Sequence, residues 1–151
     1  MVKDKIMLVF FILSTCITIY AFSFNFEKAL KGNATIENFY ISIIFILIWA
    51  GFALCSRKFP NMLIYILVYW LFVFITFCLI CIMFPFDSYV GKLHDIALVL
   101  YILLGPQMFG LTYFLPKEII FYIINALIAL AFIAYCIINI RLNWYKNDWP
   151  Q

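Results

Sequence analysis

The stretch Asp95–Leu115, DIALVLYILLGPQMFGLTYFL, decides how this chain folds. From Ile96 to Leu115 it is apolar enough, and about long enough, to cross a bilayer as one helix. Gly105-Pro106-Gln107 interrupts it near the middle, whereas every other long apolar run of the chain is free of proline. Proline removes a backbone donor and clashes with the turn before it, and glycine does little to hold a helix. In hydrocarbon, the backbone groups freed in this way must be satisfied by neighbouring protein or by water in a cavity. The segment is therefore expected either to cross with a kink or to dip in and return, with the remaining helices packed around it.

Composition fixes the class of the surroundings. Of 151 residues, 68% are hydrophobic and only 11% charged, against about 25% charged in an ordinary soluble domain. The expectation is an all-α, polytopic integral membrane bundle forming a single domain over residues 1–151, with segments at about 6–24, 39–55, 62–84, 96–115 (broken) and 119–140. The longest connection, Asn25 to Asn38, is too short to build a soluble domain. A net charge of +3 is small and scattered, so no nucleic-acid surface is read into it. The partners expected are the lipid bilayer and another membrane protein or a second copy of the chain.

Ala21-Phe22-Ser23 has the small-x-small form of a signal cleavage site, but the apolar run reads as an uncleaved first span. Asn33-Ala34-Thr35 is a glycosylation sequon, and Thr35 can equally cap the next helix through its hydroxyl. Ser56-Arg57-Lys58-Phe59-Pro60-Asn61 is a tight basic turn between the second and third segments. Because cytoplasmic loops are rich in Lys and Arg, it places that turn and the N-terminus in the cytoplasm and the loop Asp87–Asp95 outside, in a cell membrane. If segment 96–115 crosses, the two sides carry five basic residues each. If it returns, Lys3, Lys5, Arg57, Lys58, Arg141 and Lys146 share one side, six against four.

No Asp, Glu, Lys, Arg or His lies within an apolar run, and such residues are what mark proton relays and ion pathways. The chain has one histidine and lacks both Gly-x-Ser-x-Gly and His-Glu-x-x-His, so neither a catalytic centre nor a metal or cofactor site is expected. His94-Asp95 cannot make a metal site alone, and Asp95 is expected to cap the fourth segment.

Polar and small residues recur at helical spacing. Ser14, Thr18, Ala21 and Asn25 follow Met7 and Phe11 on the first segment, and Ser42, Ile46, Trp49, Ala53 and Ser56 do so on the second. The last segment has Glu118, Tyr122, Asn125, Ala129, Phe132, Cys136 and Asn139. Such seams let helices approach and hydrogen-bond in lipid at about 0.6–2 kcal/mol per bond. Beyond packing, a polar cavity at mid-depth is expected from Gln107, Thr112, Asn125 and Thr76, with Gln107 or Asn125 meeting the carbonyls freed at the break. Broken helices line substrate sites in transporters.

The five cysteines fall inside or at the edge of apolar runs, where free thiols pack as apolar groups. Cys78-Leu-Ile-Cys81 resembles, over those four residues, the pair of the quinone-linked thiol oxidases. That resemblance implies a redox pair at Cys78 and Cys81. It also implies a second cysteine pair in an outer loop, which this sequence lacks, and no basic residue adjoins the pair to lower a thiol pKa. The functional expectation is a small non-enzymatic accessory subunit or homo-oligomer. The alternatives are a small-solute transporter or channel and, third, a membrane thiol oxidoreductase.

Overall fold

The computed structural model describes residues 2–83, 92–115 and 118–147. Helix α1 spans Val2–Lys31, seven residues beyond the end expected at Phe24. Its last turns carry a Glu27–Lys31 ion pair one turn apart, and Lys28 and Lys31 oppose the negative end of the helix dipole. Gly32 then takes the left-handed conformation at φ 67°. The Asn33 amide reaches back to the Lys28 carbonyl at 3.2 Å, closing the helix end as a Schellman motif does.

Thr35 caps α2 (Ile36–Cys55) in a reciprocal box. Its hydroxyl accepts from the Asn38 amide, while the Asn38 side-chain oxygen accepts from the Thr35 amide at 2.9 Å. The basic turn is a 3₁₀ turn, Ser56–Lys58, and Pro60 opens α3 (Pro60–Met83), where its missing N–H costs nothing. The fourth segment is α4 (Lys92–Leu104) followed by a 3₁₀ stretch, Pro106–Tyr113, the two meeting at 80°. Asp95 lies in the first turn of α4 and not before it as a cap, and the His94 side chain falls outside the described residues. Helix α5 runs Glu118–Asn147. Four helices are long and apolar enough to cross a membrane, and the bent pair is a fifth element of that kind.

Ring contacts give the order and direction of the helices. Phe11 meets Phe52, and the Trp49 indole N–H donates to the Thr18 hydroxyl at 3.1 Å, so α1 and α2 are antiparallel. Trp49 stacks on Tyr69 with centroids 4.4 Å apart, and Phe45 meets Trp70, joining α2 to α3. Trp70 stacks on Phe132 at 4.0 Å and Phe77 meets Phe121 edge-on. At the far end the Asn143 amide donates to the Arg57 carbonyl at 2.8 Å. Helix α5 is thus antiparallel to α3 along its length.

That pairing settles the choice left open at the break. Helix α3 delivers the chain to one end of the bundle, and α5 takes it up from the same end. The segment between them therefore makes no net crossing; it returns. Val2 and Asn147 then both lie at the Arg57–Lys58 end, and Lys3, Lys5, Arg57, Lys58, Arg141 and Lys146 share it. The expected seams all face inward: Ser14, Ala21 and Asn25, Ser42, Trp49 and Ala53, and Asn125, Ala129 and Cys136 are buried.

Candidate functional site

The break is made by its own residues. The last α-type bond of α4 runs from the Gly105 amide to the Tyr101 carbonyl at 2.7 Å. Pro106 has no amide for the next carbonyl, and beyond it the chain tightens, the Met108 amide bonding the Gly105 carbonyl at 3.1 Å. In a continuing helix the Leu103 carbonyl would take the Gln107 amide; here it takes the Gln107 side-chain amide at 2.9 Å. Gln107 thus caps the helix that its own neighbour ends.

The returning stretch is held by a buried polar clasp from α1 and α2. The Gln107 carbonyl accepts from the Ser42 hydroxyl at 2.9 Å and from the Asn25 amide at 3.4 Å. The Ser42 oxygen in turn accepts from the Gly110 amide and the Asn25 amide, each at 3.1 Å. Asn38 donates to the Asn25 side-chain oxygen at 2.8 Å, and so the N-cap of α2 joins the same network. Asn25, Asn38 and Ser42 have no exposed surface. Away from water each bond gains strength, and each group left unpaired would be correspondingly costly.

Gly110 makes this possible. A Cβ built on it would stand 1.8 Å from the Asn38 carbonyl oxygen and 2.5 Å from the Phe39 nitrogen, a backbone-on-backbone approach that only glycine permits. Phe114 packs edge-on against Phe39 at 4.7 Å just beyond. Asn25 and Ser42 lie six residues from the helix ends at Lys31 and Ile36, about 9 Å at 1.5 Å per residue. The turn therefore enters the bundle by roughly that depth, shallower than the mid-depth expected.

The four residues expected to line one polar cavity are not joined to one another by hydrogen bonds. Thr76 and Asn125 are buried and donate to carbonyls of their own helices, Phe72 at 2.8 Å and Phe121 at 2.8 Å. Thr112 donates to the Phe109 carbonyl at 2.7 Å. Asn125 does not meet the break, and its side-chain oxygen is buried without a hydrogen-bond partner; the freed carbonyl is served by Gln107 alone of the pair. Of the four, only Thr112 lines a cavity of about 600 Å³ at the end of the bundle opposite Arg57. Asn33, Tyr101, Glu118, Phe121 and Tyr122 are among its other walls.

Cys78 and Cys81 are free, partly buried thiols one turn apart on α3. Among the described residues no group of three or more His, Cys, Asp or Glu is placed to hold a metal ion. Asn38 and Gly110 were not singled out as site residues from the sequence. The spacing Asn38–Ser42 continues the α2 seam by one turn, and that was the available signal; nothing marked Gly110. Comparison with family models, with curated proteins and with solved structures finds no match to this chain.

Proposed function

We propose that the chain is a non-enzymatic, multi-pass protein of a cell membrane, with both ends and Arg57–Lys58 in the cytoplasm, that acts through helix contacts with another membrane protein or a second copy. The observation that carries this is the state of α1. Only 11% of its most apolar window is buried, against 28–33% for the other three long helices. Its outward face presents Thr15, Cys16 and Ser23 among large apolar residues. Small and hydroxyl side chains at a lipid-facing surface allow a second helix to approach closely, where hydrocarbon alone would favour uniform bulk. The Thr15 hydroxyl already bonds the Phe11 carbonyl at 3.0 Å, so its place on that face costs little.

Cys16 is the one exposed thiol among the five, which makes it a native probe. Native mass in nanodiscs is expected to show a dimer or a co-purifying membrane protein, lost when Thr15 and Ser23 are replaced by phenylalanine. Oxidation is expected to trap a Cys16–Cys16 dimer if the partner is a second copy. A monomer with no co-purifying protein, unchanged by those substitutions, overturns the proposal.

The cavity of about 600 Å³ beside the returning segment favours a second reading, a carrier or channel for a small solute. Solute-dependent stabilisation that disappears in Thr112→Phe separates it from the first.

A further inference from the structure

Helices α2 and α5 face each other across a gap near the Arg57 end. Ala50, Ala53 and Leu54 of α2 and Ala131, Phe132 and Tyr135 of α5 line a groove of about 230 Å³. Alanines on both walls leave the space, and Trp70, which fills the seam one level deeper by stacking on Phe132, does not extend into it. The lining is almost wholly apolar side chain, and a gap of this kind open to a bilayer is filled by something apolar.

Charge at the mouth identifies the occupant. Arg57 lies in the 3₁₀ turn just past α2, three and four residues after the groove-lining Leu54 and Ala53. Its backbone carbonyl accepts from the side-chain amide of Asn143 at 2.8 Å, which ties this turn to α5, the opposite wall of the groove. Lys58 adjoins Arg57, and both side chains are exposed. Among the described residues, the topology gathers Lys3, Lys5, Arg57, Lys58, Arg141 and Lys146 at this end against Asp4. The other end has Lys28, Lys31 and Lys92 against Glu27, Glu37, Asp95 and Glu118. Six bases against one acid, compared with three against four, makes this the end that attracts an anion.

We propose that the α2–α5 groove is a binding site for an anionic phospholipid. One acyl chain lies against Ala50, Ala53 and Ala131, and the phosphate-bearing headgroup is held by Arg57 with Lys58 beside it. A guanidinium suits this role because its donors match phosphate oxygens two at a time, and its aliphatic stem lies along apolar surface while the head reaches the interface. The site rests on the chain being bilayer-embedded and is independent of what partner α1 meets.

The test is native mass spectrometry of the intact chain released from nanodiscs of phosphatidylcholine alone or mixed equally with phosphatidylglycerol. Incorporation as a helical protein into pure phosphatidylcholine discs reports the bilayer reading separately. In mixed discs, the phosphatidylglycerol adduct is expected to exceed the phosphatidylcholine adduct roughly thirtyfold, the scale for two bases at a lipid surface. Arg57→Gln with Lys58→Gln should abolish that preference. Ala53→Leu with Ala131→Leu, filling the groove, should remove the adduct while leaving both bases. Lys28→Gln with Lys31→Gln, at the other end, should change nothing. Equal retention of the two lipids, an adduct indifferent to the filled groove, or a dimer that the filled groove dissolves would each overturn the proposal.

Discussion

Replacing Gly110 by alanine is the sharpest perturbation this fold offers. The new methyl would stand 1.8 Å from the Asn38 carbonyl oxygen and 2.1 Å from its carbon. Both are backbone atoms in the first turn of α2, so neither can rotate aside. The 3₁₀ stretch must withdraw by more than an ångström. That movement breaks the Gly110 amide bond to Ser42 and strains the Ser42 bond to the Gln107 carbonyl, now 3.1 and 2.9 Å. Overpacking of this kind costs about 1–3 kcal/mol, and one or two buried hydrogen bonds add about 0.6–2 kcal/mol each. The expected loss is thus about 2–7 kcal/mol. Two other glycines calibrate it. At Gly51 the nearest atom is the end of the Phe10 ring at 2.7 Å, which can turn away, so Gly51→Ala should cost under about 1 kcal/mol. At Gly32 nothing lies within 4 Å, and only the positive φ of 67° is strained, worth about 1–2 kcal/mol. Reversible unfolding of the three variants in bicelles by increasing SDS mole fraction gives the ranking. If Gly110→Ala unfolded within about 0.5 kcal/mol of the parent, the close approach and the clasp built on it would both be wrong.

Three further outcomes follow from the same network. Asn25→Leu should destabilise by about 2–3 kcal/mol in that assay, because it strands Asn38 and removes donors to Ser42 and Gln107; a neutral result would remove Asn25 from the clasp. Asn125→Leu should fall within about 1 kcal/mol of the parent, since its amide bonds only its own helix and its oxygen is unpaired, and a large loss would point to a partner elsewhere. Gln107→Leu should cost about 1–2 kcal/mol by exposing the Leu103 carbonyl to an apolar surrounding. Its double-mutant cycle with Asn125→Leu should show no coupling beyond about 0.5 kcal/mol.

What the sequence made legible followed from periodicity and from proline. Runs of apolar residues located all four long helices, and the three-and-four spacing of Ser14, Asn25, Ser42, Ala129 and Cys136 marked the buried faces, because one face of a helix is read directly from such spacing. Gly105-Pro106 located the bend. Helix ends were harder. The polar residues Asn25, Glu27 and Lys28 suggested a loop, yet α1 continues to Lys31, since Asn25 finds partners across the bundle that a local pattern cannot show. Whether segment 96–115 crosses or returns was not legible, because that depends on the direction of α5 against α3, a long-range fact carried by pairs such as Trp70–Phe132 and Asn143–Arg57. Asn125 was placed on the correct buried face, but a face does not name a partner. Gly110 was silent because a close backbone approach leaves no trace in composition.

The return of segment 92–115 to the end from which it came is tested most directly by sidedness. Single cysteines at Val2, Asn33 and Asn147, each in a background lacking the five native cysteines, can be labelled with an impermeant maleimide in intact cells and again after lysis. Val2 and Asn147 mark the two chain ends and Asn33 the connection between α1 and α2. If the segment returns, Val2 and Asn147 react alike and Asn33 reacts oppositely. Labelling of Asn147 together with Asn33, while Val2 behaves differently, would mean that the segment crosses and that the antiparallel pairing of α3 with α5 is wrong.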